Sequence, residues 1–274
     1  MTKKRILDVT TVKKRDNMQP YTNMIAPNAV PGTTYSFSAA LIGAHAATDV
    51  NINHPKVILW NATARDLTDI SSVVNTRANE AARTSTTPFM VGLREVVEIQ
   101  SANGLPWQWR RICFTYKGPL PGSTATTTFK PFAETSSGYG RMVNVVAGDR
   151  NAGATYDLFR TIFAGQNASD WNDPMVAKLD QTRISVKYDR TRSLQTGNEQ
   201  GFIRKYNHFH AMGHTLAYDD DENGAGMDTS YMSVDSKVGM GDYYVLDLFR
   251  SRFGADGGNS LIFNPSATLY WHEK

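Results

Sequence analysis

Residues 89 to 117 alternate with period two in two runs, FMVGLREVVEIQ and QWRRICFTYK, separated by SANGLPW. Period two puts successive side chains on opposite faces of a strand, and Asn, Gly and Pro between the runs supply turn chemistry, so the stretch predicts a β-hairpin. In the first run Phe89, Val91, Leu93, Val97 and Ile99 share a face with one intruder, Glu95. A carboxylate on an apolar face needs a partner. In the second run Ile112, Phe114 and Tyr116 share one face, while Trp109, Arg111, Cys113 and Thr115 share the other. Arg110 and Arg111 therefore point to opposite sides.

The same pattern recurs along the chain. Residues 182–190 predict a strand with Ile184, Val186 and Tyr188 inward and Arg183, Ser185, Lys187 and Asp189 outward. Further strands are predicted at 35–42, 56–61, 202–210, 243–250 and 267–272, about eight in all. Helical spacing shows in Tyr156, Phe159, Ile162 and Phe163, and more weakly in Ile70, Val73, Val74, Arg77 and Ala81 behind Asp66 and Asp69 as N-caps. Strands of this number with long connections, and no alternation of strand and helix, favour a double-sheet jelly roll or a related sandwich. A chain of 274 residues accommodates one such domain.

Charge is unevenly distributed. Residues 1–15 hold six basic residues, Lys3, Lys4, Arg5, Lys13, Lys14 and Arg15, against Asp8, a net +5; the other 23 cationic and 25 anionic residues leave −2. That asymmetry predicts a polyanionic partner. Cys113 is the lone cysteine, which excludes an internal disulfide framework. No apolar run approaches the ~18 residues of a membrane span, and the basic N-terminus has no apolar signal core, so a soluble nuclear or cytosolic protein without a membrane partner is expected.

Three constellations are candidates for chemistry. His208, His210 and His214 in HFHAMGH suggest a metal site like that of cupins, which would make the chain a metalloenzyme; Gly201 and His214 depart from the cupin pattern. Asp219, Asp221, Asn223 and Gly224 fit the first half of a calcium loop, but Ser230 stands where the bidentate Glu belongs. Cys113 lies mid-strand, where a thiol is a small core residue. The third constellation, WQWRRICFTYKG, interleaves Trp107, Trp109 and Tyr116 with Arg110, Arg111 and Lys117, the mixture that stacks bases while neutralising phosphates.

KKRILDVTTVKKRDNMQPY and FMVGLREVVEIQSANGLPWQWRRICFTYKGPL, together with the spacing between them, closely resemble the capsid proteins of genomoviruses, which are small circular single-stranded DNA viruses; the FRTIFAG and KYNHFH segments agree more loosely. The resemblance implies an all-β fold: a single eight-stranded antiparallel jelly roll with short helices in its connecting loops, over 26–274, preceded by a basic arm over 1–25. It implies a T=1 icosahedral shell of sixty copies around the genome, a non-enzymatic role without cofactor, and location in the virion and, during assembly, the host nucleus. Lys3, Lys4, Arg5, Lys13, Lys14 and Arg15 are the expected DNA-binding and import residues, the latter through a host import receptor, and Trp109, Arg110 and Arg111 are further DNA-binding candidates. Phe159, Phe163, Trp171 and Tyr231 are expected at subunit contacts, and the acidic 219–223 loop on the outside. Such proteins usually carry an Arg-rich stretch ahead of the TKKR segment. Sixty arms at +5 give about +300 against roughly a thousand phosphates in even a short genome, so empty or weakly loaded shells are expected of this polypeptide.

Overall fold

Eight strands carry the architecture in the computed structural model, which describes residues 10–26, 32–44, 55–146, 153–256 and 258–274. They are β1 (Val12–Met18), β2 (Lys56–Asn61), β3 (Phe89–Ser101), β4 (Trp107–Tyr116), β5 (Ser185–Leu194), β6 (Phe202–Thr215), β7 (Asp242–Ser251) and β8 (Ser260–Glu273). One sheet runs β1-β8-β3-β6, with Ala40–Gly43 added beside the start of β8; the other runs β5-β4-β7-β2. All these pairings are antiparallel. Two four-strand sheets in the orders 1-8-3-6 and 5-4-7-2 make a double-sheet jelly roll.

The expected hairpin over 89–117 is instead a corner. β3 pairs with β8 and β6, β4 pairs with β5 and β7, and the two strands face each other across the core. Glu95 explains why. It is fully buried on β3, and its partner Arg111 lies on β4 in the opposite sheet, with Arg111 Nη1 2.9 Å from Glu95 Oε2. Arg111 also forks onto Asp247 of β7, at 2.7 and 2.8 Å, and Arg141 bonds both carboxylates. Two guanidiniums thus neutralise two carboxylates, and Trp109 Nε1 donates to Asp247 at 2.7 Å.

This cluster divides the inter-sheet core into two apolar regions. Leu93, Cys113 and Val245 lie on one side and Val97, Trp109 and Phe249 on the other, two residues away along each strand. A third apolar cluster lies outside the β5-β4-β7-β2 sheet, where helix α1 (Gly153–Ile162) packs Leu158, Phe159 and Ile162 onto Ile112, Phe114, Leu246 and Leu248. That sheet is therefore covered on both faces, and β4 and β7 are buried almost throughout. Among the described residues, the five-stranded sheet is covered on one face only.

Three other expectations change. Phe89 and Val91 lie on the outer face, opposite Leu93, because the register skips a residue where Gly92 faces Tyr270 and Met90 faces Trp271. A second bulge, between Val186 and Tyr188, sends Val186 to the helix-side cluster and Tyr188 into the inter-sheet core. Residues 70–81 form turns, since Asp69 Oδ1 accepts from the backbone N–H of Ser71 and Val73 in a local loop and caps no helix.

The two carboxylates are kept ionised. Burial alone would raise the pKa of Glu95 and of Asp247, but the guanidiniums of Arg111 and Arg141 outweigh it and hold both below the usual carboxylate range. Breaking such a buried set by removing one partner leaves an uncompensated charge. Arg111→Met should therefore lower unfolding free energy by about 3–5 kcal/mol, read from denaturant midpoints, and Arg111→Lys should recover little because the ammonium cannot reproduce the fork. A loss of less than about 1 kcal/mol for Arg111→Met would show that the cluster contributes nothing net.

Candidate nucleic-acid interface

The second basic triplet is not part of a free arm. It lies within β1, paired with β8 from Val12 opposite Glu273 to Met18 opposite Ala267. Its central residue, Lys14, turns into the core, where Nζ sits 3.3 Å from Glu273 and donates to the carbonyls of Ala82 at 2.7 Å and Asn79 at 3.1 Å. Two residues on, Asp16 also points inward and takes Arg65 at 2.8 Å; that guanidinium lies over the rings of Tyr139 and Trp271. The strand thus extends into the expected arm over 1–25. Lys14 is bound within the fold and offers nothing to a polyanion. Lys3, Lys4 and Arg5 lie outside the described residues.

Lys13 and Arg15 alternate with Lys14 and stand on the outer face of the five-stranded sheet. Arg94 of β3 is exposed on the same face. Towards its other end, Lys205 of β6 is matched by Glu98 of β3 at 3.2 Å, so the net positive charge concentrates at the β1 end. Among the described residues Arg15 has one carboxylate paired with it, Glu80 at 3.9 Å, with both side chains largely in solvent.

Trp109, Arg110 and Arg111 are corrected as DNA-binding candidates. Trp109 and Arg111 are held in the charge cluster between the sheets. Arg110 points to the opposite face, as the alternation predicts, but is buried there on Asp189, at 2.9 and 2.7 Å, and on the carbonyls of Pro174 and Ala177. A central strand covered on both faces leaves no donor for a ligand.

The histidines do not converge. His208 and His210 share the inner face of β6, with rings nearly parallel at 5.7 Å, whereas His214 lies beyond a register shift and is exposed. Among the described residues no three His, Cys, Asp or Glu side chains are grouped to hold a metal. His210 Nε2 instead lies 3.8 Å from Glu95 and 3.9 Å from Cys113 Sγ. The 219–223 segment leads into an exposed two-stranded hairpin, Asp221–Asn223 with Gly226–Asp228. Phe159, Phe163 and Trp171, expected at subunit contacts, pack edge to face in the helix-side cluster, and Tyr231 packs on Phe132.

No family model matches the chain. No curated protein matches it significantly. Among solved structures it is similar to VP1 of KI polyomavirus in an unassembled pentamer, at 9% identity over 97% of this chain and 95% of that one, with a TM-score of 0.19. A Merkel cell polyomavirus virus-like particle gives 10% identity over 100% and 78% with a TM-score of 0.13, and VP1 of Trichodysplasia spinulosa-associated polyomavirus with 3'-sialyllactose gives 10% over 96% and 94% with a TM-score of 0.13. Likenesses this loose decide nothing about role, and the fold rests on the strand order.

His208 makes the edge between β5 and β6 sensitive to acid. Burial, and then the neighbouring charge of Arg111, push its pKa down from 6.5 to about 4. The unfolded chain therefore binds a proton that the folded chain refuses, and stability falls as pH drops from about 6.5 to about 4. Allowing for the partial exposure of the ring, His208 should account for a loss of about 1–2 kcal/mol across that window, measured from denaturant midpoints; His208→Phe should remove that part and leave what His210, whose pKa burial also lowers, contributes. An unchanged slope in His208→Phe would assign the dependence elsewhere.

Proposed function

We propose that the chain is the coat protein of a small circular single-stranded DNA virus of the kind its sequence resembles, the genomoviruses, and that sixty copies close into a T=1 shell around the genome. The observation that carries this reading is the placement of Lys13 and Arg15 on the exposed face of the five-stranded sheet, on the strand that continues the segment holding Lys3, Lys4 and Arg5. A basic tract that passes from the N-terminal residues onto a rigid sheet face suits a polyanion, whose phosphates contribute most of the affinity without regard to sequence. In this reading the five-stranded sheet faces the genome and the helix-covered sheet lies on the other side. The N-terminal basic residues also engage a host import receptor, and the protein passes through the host nucleus into the virion. Its role is structural, with no cofactor.

Negative-stain electron microscopy of the purified chain, with the 260/280 nm absorbance ratio on the same sample, tests the proposal. Uniform icosahedral particles are expected, and a monomer or dimer under all solution conditions would overturn it. A second measurement separates the three residues of the triplet. For single strands each lost phosphate contact removes about 0.7 from the slope of log K against log salt, so Lys13→Ala with Arg15→Ala should flatten it by about 1.4, with less than about 1 kcal/mol lost in stability because both side chains are exposed. Lys14→Ala should instead destabilise the fold.

A further inference from the structure

On the outer face of the five-stranded sheet, cations and rings stand opposite each other in three cross-strand pairs. Lys13 faces His272 and Arg15 faces Tyr270 across β1 and β8, and Arg94 faces Phe209 across β3 and β6. Directly opposite residues share a face and lie within reach of one another. Beside the pairs lies a groove of about 530 Å³ whose lining runs from Lys13, Lys14 and Arg15 with Glu80 to Val91, Phe209, Tyr270 and His272; Arg94 stands outside it. Its volume is that of a small-ligand site.

Phe209 is the unusual member. The residue is 60% exposed, yet its ring is seated against Gly92: a Cβ at that position would fall 2.8 Å from the ring and 2.8 Å from the carbonyl of His210. Only glycine leaves room there, so the ring is set close to the backbone of β3 with most of its surface open. An apolar ring that served the core would be buried, as Trp60, Trp109 and Trp271 are.

We propose that this groove is a base-stacking subsite for single-stranded nucleic acid, with Phe209 and Tyr270 as the platforms and Lys13, Arg15 and Arg94 on the flanking phosphates. This rests on the reading of the sheet as the genome-facing side and adds strandedness to it. A sheet face with open rings presents stacking surface to bases that are not already paired, whereas a duplex presents phosphates and groove edges. Charge complementarity favours this occupant over a second protein copy. The groove gathers cations, and its one carboxylate among the described residues, Glu80, is in a solvated pair with Arg15 that a phosphate replaces at small cost.

The test compares wild type, Phe209→Ala, Phe209→Tyr and the Lys13→Ala/Arg15→Ala double variant, as full chains below their assembly concentration. The probes are a labelled oligothymidylate and a mixed-sequence DNA duplex of equal length, followed by fluorescence anisotropy over a salt series. Phe209→Ala should weaken binding of the oligothymidylate by about 5- to 150-fold at every salt concentration, with an unchanged salt slope and unchanged duplex binding. Phe209→Tyr should restore it, and the double variant should flatten the slope for both probes. Photocrosslinking of an iododeoxyuridine oligomer should map to Phe209 or Tyr270.

If Phe209→Ala binds the single strand as tightly as wild type while the double variant binds less tightly, the stacking subsite is wrong and the genome-facing sheet survives. If neither variant changes binding, both are wrong. A Phe209→Ala chain that binds DNA normally but no longer assembles would give the groove to a second copy and overturn the proposal.

Discussion

Glu95, Arg111, Arg141 and Asp247 meet between the sheets in a set with no net charge, each contributed by a different stretch of chain. Apolar contacts are tolerant of small slips, since one methyl group replaces another at little cost. A buried charge is not. Sliding β3, β4 or β7 by one residue would turn Glu95, Arg111 or Asp247 to the opposite face of its strand and leave the others uncompensated. The cluster therefore selects among ways of packing two sheets more than it adds to net stability, and it fixes β3 and β4 in opposite sheets where their sequence alone favours a hairpin. Trp60 beneath Arg141 and Trp109 beside Arg111 present ring faces to the guanidiniums, which offsets part of what burial costs those charges.

The same chemistry recurs at the edge of the fold. β1 has little apolar surface of its own: of its inward-facing residues, Lys14 and Asp16 are ionic, Met18 is apolar and buried, and Val12, at the end of the strand, is apolar but only half-buried. What holds the strand is Glu273 for Lys14 and Arg65 for Asp16, together with the ladder to β8. The consequence for function is direct. By drawing Lys14 inward, the fold keeps Lys13 and Arg15 outward at fixed spacing. A clustered basic triplet becomes two cations on a rigid surface and one internal anchor.

Strands rich in apolar or aromatic side chains were legible in the sequence: 56–61, 89–100, 108–117, 202–210 and 243–250 all lie on observed strands within a few residues. Glu95 was legible as a residue in need of a partner, and Arg110 and Arg111 as facing opposite ways. β1 was not, because Lys14 and Asp16 occupy its inward positions and periodicity of hydrophobicity cannot report a strand whose buried face is ionic. Nor was the burial of Trp109, Arg110 and Arg111. Aromatics interleaved with cations look alike whether they serve a ligand or a charge cluster, and the difference lies in Asp189 and Asp247, distant in sequence. Gly92 carried the one signal that could have found the exposed platform: a glycine inside a strand marks a bulge or a close approach, and here it is both.

The uneven clothing of the two sheets completes the connection between fold and role. Helix α1 and its neighbouring loops cover the β5-β4-β7-β2 sheet, so its outer face is a core, while the β1-β8-β3-β6 sheet keeps a face of mixed cations, rings and small polar groups. Beyond residue 15 the chain is slightly acidic, so no general positive field draws a polyanion to the molecule. In the proposed role attraction is therefore local, and at Debye lengths near 8–10 Å it extends little farther than the side chains themselves. In the proposed role the exposed sheet face meets that requirement through position: its cations stand beside the exposed Phe209 and the half-buried Tyr270, on and near the strand that follows the N-terminal basic segment in the chain.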